Sequence, residues 1–299
     1  MELALYHPEL GYYRRGSDPF GREGDFFTSS QLQPVFGRLL AQQIDNWRQE
    51  LGSPANFCVL ELGPGRGETA SVARGCLPGV RWVTVDVEQP WPDEPITGVV
   101  YSNEFFDALP VDLLEQRAEG WVEWRVDWDG AKFDWRVGPE LQTRKGLASR
   151  TTGDRIESCE RAIAHLGRID TVLERGFVVS IDYGYTNDEL VRGERFPEGS
   201  LMGYKNHQAY PDVLVEPGDR DITAHVNFTA LLQCGDELGW QSRGLVSQQE
   251  FLASVGKPDN FAYALSANTE DVAVRLRMQL KTLLCGMGET FRVLVQRKG

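Results

Sequence analysis

Basic residues are scarce in this chain relative to acidic ones: 31 Lys and Arg face 44 Asp and Glu, a formal net charge of −13 over 299 residues. Proteins that track nucleic-acid phosphates owe most of their affinity to clustered Lys and Arg, so this balance argues against a dedicated nucleic-acid binder. Cysteine is also sparse. Cys58, Cys76, Cys159, Cys234 and Cys285 are odd in number and far apart, with no C-x-x-C spacing, which predicts reduced, mostly buried thiols. No apolar run is long enough to cross a bilayer, and the first residues have neither a signal peptide's apolar core nor a transit peptide's basic character. A soluble cytoplasmic protein is therefore expected. H-E-x-x-H, G-x-S-x-G and P-loop signatures are missing, so zinc, serine and NTP hydrolysis each lack their minimal parts and no metal is expected. There is no internal repeat and no low-complexity tract.

What is present has the composition of a globular protein with a sizeable core, in a length that allows one large domain or two ordinary ones. After Ser29 or Ser30, Val35, Phe36, Leu39, Leu40, Ile44, Trp47 and Leu51 recur at helical spacing, with Pro34 tolerated in the first turn. Short apolar strands are predicted at 57–62, 80–87 and 98–102, alternating with helices as in a parallel sheet covered on both faces. Asp129-Gly130 joins two aromatic-rich alternating runs and predicts a hairpin in which Asp127 and Asp129 shape the turn. Ile156, Cys159, Ile163, Leu166, Ile169 and Leu173 trace a helix face that Gly176 ends before the apolar strand 177–181. Residues 185–226 are polar, without clear periodicity, and read as a lid or binding segment. A helix restarts at Phe228, a strand follows at 240–246, and 291–296 closes the chain as a strand.

The most informative stretch is Val59-Leu60-Glu61-Leu62-Gly63-Pro64-Gly65-Arg66-Gly67. A dinucleotide fingerprint reads G-x-G-x-x-G and aims helix amides at a pyrophosphate, whereas here the spacing is G-x-G-x-G and Glu61 precedes it. A carboxylate there repels a pyrophosphate and suits the cationic amino end of S-adenosylmethionine. Glu61, Gly63, Pro64, Gly65 and Gly67 are thus candidate cofactor-binding residues. About twenty residues after Gly63, Asp86 ends the second strand where nucleotide-binding α/β folds place an acid on the ribose hydroxyls, with Glu88 as a competing candidate. Thr28 and Ser29, before the first long helix, offer hydroxyls and free amides to a methionine carboxylate, although helix capping explains Ser29 equally well.

Asn103-Glu104-Phe105-Phe106-Asp107-Ala108-Leu109-Pro110 follows the third strand. Methyl transfer from a sulfonium mainly needs alignment and exclusion of water. Asn103 and Glu104 are assigned to the donor, and Glu104 and Asp107 to the methyl-transfer rim. For a guanidinium acceptor, carboxylates must hold a permanent cation. The competing reading makes Asp107 a helix cap and Phe105 and Phe106 core. His225, in Asp221-Ile222-Thr223-Ala224-His225-Val226-Asn227, is a third catalytic candidate because histidine shuttles protons near neutrality; His207 precedes it in the lid segment. A lone histidine is as often structural.

Gly11-Tyr12-Tyr13, the 24–29 segment, Glu61 to Gly67, Asn103 to Pro110, Asp182 to Gly184 and Asp221 to His225 occur in an order that resembles the S-adenosylmethionine-dependent methyltransferases related to MidA and mitochondrial complex I assembly factor 7. The similarity spans nearly the whole chain. It implies an α/β class I methyltransferase fold, Rossmann-like, with a mostly parallel seven-stranded sheet in a single domain over 1–299. A hairpin insertion is expected at about 111–153, the lid at about 185–226 and a helical insertion at about 247–289. The implied cofactor is S-adenosyl-L-methionine and the implied partner a protein arginine side chain; the sequence leaves the oligomeric state open. The chain departs from the family pattern at Gln31, at Asn227 and in the short region after Asp86. A catalytically weak, donor-binding assembly factor and a small-molecule methyltransferase therefore stand as alternatives. A nicotinamide oxidoreductase is disfavoured by the glycine spacing.

Overall fold

The computed structural model describes residues 1–15, 25, 32–87, 89–141, 147, 152–192, 196–286 and 288–299. The chain forms two compact units. One combines Met1–Phe27, Phe106–His165 and Gly184–Gln233, and the other Thr28–Phe105, Leu166–Tyr183 and Cys234–Gly299.

The elements in chain order are α1 (Glu2–Tyr6), α2 (Val35–Glu50), β1 (Phe57–Leu62), α3 (Glu68–Cys76), β2 (Arg81–Val85) and β3 (Ile96–Asn103). There follow β4 (Asp112–Arg117), β5 (Gly120–Trp128), β6 (Phe133–Leu141), β7 (Arg155–Ser158), α4 (Glu160–Val172) and β8 (Leu173–Tyr185). Next come α5 (Asn187–Arg192), β9 (Met202–Lys205), β10 (Gln208–Tyr210), β11 (Asp221–Thr223), β12 (Val226–Asn227) and α6 (Phe228–Glu237). The chain ends with β13 (Gln241–Ser247), α7 (Gln248–Gly256), α8 (Glu270–Cys285) and β14 (Phe291–Lys298).

The second unit holds the sheet predicted from the apolar runs, in the order β13-β14-β8-β3-β1-β2. β2, β1, β3 and β8 are parallel, and β14 and β13 add antiparallel strands beyond β8. Every residue of β1 and of β3 is buried, as expected for strands covered on both faces. The apolar stripe of α2 packs Phe36, Leu40, Ile44 and Trp47 against Val59, Val99, Phe177 and Val293, and Trp47 stacks on Phe177 at 5.1 Å between ring centroids. α2 starts at Val35, directly after Pro34. Ser29 and Ser30, the expected caps, lie outside the described residues.

In the first unit β6-β5-β4-β7 form an antiparallel sheet and β10-β9-β11 a smaller one. The predicted hairpin is β5–β6, and the Asp129 carboxylate closes its turn by accepting from the amides of Ala131 and Lys132. Residues 185–226 are richer in structure than their composition suggests, carrying α5 and the small sheet. β12 pairs in parallel with Gly184 and Tyr185 and is the seventh strand counted with the main sheet.

One helix differs from its expected course. Ile156 belongs to β7, where it pairs with Leu114, and α4 begins only at Glu160. Leu173 already belongs to β8, and Gly176 lies inside that strand. Gly176 has φ +150°, and a Cβ there would come within 1.9 Å of the Gly98 carbonyl oxygen, so it permits close strand packing instead of ending a helix.

Candidate functional site

The glycine turn lies in the second unit, at the carboxyl end of β1. Gly63, Gly65 and Gly67 all have positive φ, at 61°, 51° and 71°. Gly63 also faces the Phe105 ring, which a Cβ would meet at 2.6 Å. The Gly67 amide donates to the Pro64 carbonyl at 2.8 Å and closes the turn, and Gly67 then caps α3. Alternating glycines thus allow a backbone course that side chains would obstruct.

Glu61 precedes this turn and is only 4% exposed. Its carboxylate accepts the indole N–H of Trp82 at 2.9 Å. Burial pushes its pKa up to about 7, against the opposing pull of the Trp82 hydrogen bond and the Arg74 charge. A buried carboxylate titrating near neutrality gains from a cationic partner, as an α-ammonium supplies. Asp86 is exposed at the end of β2, where its carboxylate accepts from the Val87 amide at 2.8 Å. Glu88, Thr28, Ser29 and Gln31 lie outside the described residues. Among the described residues of 86–95 none is helical, in keeping with the short spacing after Asp86.

At the end of β3 the Asn103 side-chain amide donates to Glu104 Oε1 at 2.9 Å. Glu104 has φ +53°, unusual for a residue with a side chain, and its amide donates to the Ile181 carbonyl at 2.9 Å. That backbone turn reorients the Glu104 side chain relative to the strand. Strained backbone of this kind clusters at functional positions.

The first unit holds a second polar constellation. Asp107 is 6% exposed and lies in a turn, not at the start of a helix, which removes the capping explanation. Its carbonyl accepts from the Ala224 amide at 2.9 Å. Phe105 and Phe106 are buried, as their core reading required. Asp221 is 2% exposed and accepts from the Tyr13 hydroxyl at 2.8 Å. Burial first, then the charge of Asp107, raises its pKa to about 7, with Tyr13 and the Ile222 amide opposing. Tyr12 donates to Asp25 at 2.6 Å, and Asp25 accepts from the Asn206 amide at 2.7 Å and from the His207 amide at 2.9 Å. His207 is exposed at the β9–β10 turn.

His225 is partly buried, with its ring 4.6 Å from Phe196 and 6.5 Å from Tyr185. Its amide donates to Ser200 Oγ at 2.9 Å, and the buried Glu157 carboxylate accepts from the amides of Ser200 and Leu201. Asp107, Asp221 and His225 thus share one unit, and Glu61, Asn103 and Glu104 share the other. Sequence reasoning passed over Trp82 and Glu157. Nothing in the sequence marks a tryptophan in an apolar strand as a carboxylate's partner, or a lone acid before a helix as buried.

Among the described residues no group of three or more His, Cys, Asp or Glu side chains is placed to hold a metal ion. Among the described residues no helix is long and apolar enough to cross a membrane.

A mostly parallel sheet, a G-x-G-x-G turn after its first strand and a buried acid beside that turn define a class I methyltransferase. A family model described as putative S-adenosyl-L-methionine-dependent methyltransferases matches residues 76–246, and the chain belongs to that family. A relative from Burkholderia thailandensis, solved with S-adenosyl-homocysteine bound, is similar at 30% identity and a TM-score of 0.87, over 99% of this chain and 86% of that one. The mitochondrial protein arginine methyltransferase NDUFAF7 of Danio rerio is 26% identical over 98% of this chain and 81% of its own length. Its Drosophila melanogaster homologue is 26% identical over 100% of this chain and 80% of its own length.

The chain is an S-adenosylmethionine-dependent methyltransferase with S-adenosylmethionine as its cofactor, and the burial of the Glu61 carboxylate and the open backbone of the glycine turn are chemically suited to that group. The cytoplasmic expectation is overturned, because the curated relatives carry mitochondrial names. Scattered thiols and the lack of a long apolar run are common to soluble proteins of many compartments, so composition carried no information on this point.

Proposed function

We propose that the chain methylates arginine on a protein partner. The observation that carries this reading is the pair of buried carboxylates in the first unit, Asp107 and Asp221, in which the charge of Asp107 adds to the cost of ionising Asp221. Such a pair is stabilised by a cation, and a planar guanidinium with its fork of donors is the side chain suited to two acids at once. The names of the relatives support the same acceptor.

When bound, the donor supplies an activated methyl on its sulfonium. Glu61 holds the ammonium end, Asp86 the ribose hydroxyls, and Asn103 and Glu104 the rim of the strand exit. Within the first unit, Asp107 and Asp221 would bind and orient the guanidinium of the acceptor. A guanidinium that accepts a methyl must give up a proton, which Asp107 would take or His225 would pass to water. Positioning supplies most of the rate, because the sulfonium is already a good leaving group.

Asn227, one departure from the family pattern, accepts from the Ala230 amide at 3.2 Å and caps α6. Asparagine and aspartate cap helices about equally well, so this change does not by itself favour a catalytically weak protein. Incubating the pure protein with labelled S-adenosylmethionine and host lysate, then mapping labelled residues by mass spectrometry, tests the assignment. Methylarginine on a polypeptide supports it, and label confined to a small metabolite overturns it.

A further inference from the structure

We propose that Trp82 is a positioning residue for the methyl donor: its indole N–H, given to Glu61 from the neighbouring strand, holds that carboxylate ionised and fixed for the donor's ammonium.

The geometry follows from strand register. Val59 pairs with Trp82 and Glu61 with Thr84, so in this parallel pair Trp82 lies one step diagonally behind Glu61 on the same face of the sheet. On the other side Tyr101 of β3 is paired with Glu61. Trp82 is 8% exposed and Tyr101 1%, and both belong to the apolar cluster that α2 covers. Glu61, the last residue but one of β1, therefore lies in an apolar slot with water largely excluded. A carboxylate there is costly unless something donates to it.

Among the described residues, three groups bear on the Glu61 carboxylate and its slot. Trp82 on β2 donates directly to it at 2.9 Å. Arg74 on α3 acts on it through space and spends a donor on the Trp82 carbonyl at 3.2 Å. Tyr101 on β3 is held neutral, its pKa pushed well up by burial and then by the charges of Glu61 and Glu104. The indole N–H is thus the direct donor and Arg74 the remote one. An indole donates without carrying charge, so it favours the carboxylate without neutralising it. The full attraction for an ammonium is left available, which a lysine or arginine in that place would consume.

Donor affinity should accordingly follow Glu61 ionisation, with a midpoint near the value of about 7 that burial and these partners set. Trp82→Phe keeps an aromatic ring but removes the N–H together with part of the indole's bulk, so the pH dependence of binding, and not its absolute strength, reads the hydrogen bond. Losing a hydrogen bond to a charged group moves the midpoint up by roughly one pH unit, which is about a fivefold weaker affinity at pH 7 that fades by pH 8.5.

The test is calorimetric titration of both proteins with S-adenosyl-homocysteine from pH 6 to 8.5. It is joined by an NMR titration of the donor-free wild type labelled with ¹⁵N at tryptophan. The expected result is an affinity curve displaced to higher pH in the variant, and a Trp82 indole resonance that titrates near pH 7 in the wild type and stops titrating in Glu61→Gln. An equal loss of affinity at every pH makes Trp82 a packing residue only and overturns the proposal, as does an unchanged profile. Should Trp82→Phe fail to fold, the wild-type indole titration decides alone, and a resonance flat across that range overturns the proposal.

Discussion

Tyr13 and Asp221 stand 208 positions apart in the sequence and meet through a 2.8 Å hydrogen bond from the phenol to the carboxylate. Tyr12 makes the matching bond to Asp25 at 2.6 Å, and Asp25 grips the β9–β10 turn through the Asn206 amide. The Gly-Tyr-Tyr block and the block from Asp221 to His225, which look unrelated in sequence, are halves of one polar structure. Asp221 is buried in it, and an acid so placed must have its donor or become a destabilising charge.

Asp221→Asn tests the energetics of that structure. The carboxyl's pKa is raised in the fold, from 3.8 to about 7, so the native state holds a proton that the unfolded chain releases between those values. Stability from this group is therefore full below pH 3.8 and falls as pH rises toward 7, by on the order of a few kcal/mol. Asparagine can still accept from Tyr13 and carries no charge. Thermal melts should show Tm at pH 8 unchanged or raised in the variant, with a flatter dependence between pH 5 and 8, while methylation is lost. A variant melting point that tracks the wild type across that range would show that Asp221 is not buried as an ion.

Asp86→Ala separates binding from folding. The side chain is exposed and its bond within the described structure is local, to the Val87 amide. Removing it should leave Tm within about 1 °C, as surface changes usually do. On the proposed contact, two hydroxyls of the donor's ribose lose a carboxylate acceptor, so donor affinity should fall by about tenfold or more. Calorimetry with S-adenosyl-homocysteine measures this, and an unaltered affinity would move the ribose contact to another residue.

How far the sequence spoke depends on the range of the interaction. The strands at 57–62 and 96–103 and the hairpin around Asp129 announce themselves through local pattern, because burial on both faces or tight turning constrains every residue in them. Ile156 did not, since one apolar residue satisfies a helical period and a strand equally, and only pairing with Leu114 decides. Gly176 was read as a helix stop when its constraint is the carbonyl of Gly98, nearly eighty residues earlier in the chain. In the candidate site, the glycine turn after β1 was legible because its spacing is a local backbone constraint, and Glu61 was legible by its place beside it. The partners that tune the acids, Trp82 for Glu61 and Tyr13 for Asp221, come from other strands or segments and left no local trace.

Gly63→Ala should damage both fold and donor binding. Its φ of +61° disfavours any side chain, and the new Cβ would meet the Phe105 ring at 2.6 Å. Left-handed backbone costs about 1 to 2 kcal/mol for alanine, and the clash adds to it unless Phe105 moves. A fall in Tm of several degrees is expected, with loss of S-adenosyl-homocysteine binding. Shortening Phe105 as well should recover part of the stability, since it relieves the clash and leaves the backbone strain. A single variant as stable as the wild type would mean that the turn relaxes freely.

Glu61→Gln tests the charge proposed for the donor's amino end. Glutamine retains an acceptor for the Trp82 indole, so the core around it stays satisfied, and at pH 8 the variant is spared a buried ion whose pKa sits at about 7. The sign is the same as for Asp221: stability from this group is present at low pH and declines as pH rises from 4.5 toward 7. The ligand-free variant should therefore melt no lower than the wild type at pH 8. Binding responds in the opposite direction, because an ammonium buried against a neutral amide loses its counter-charge, a change worth about 2 kcal/mol or more, or at least about thirtyfold in affinity. Melts with and without saturating S-adenosyl-homocysteine read both effects together: the wild type gains stability in proportion to ligand bound, and the variant gains little. Equal ligand-induced shifts in the two proteins would remove Glu61 from the donor site.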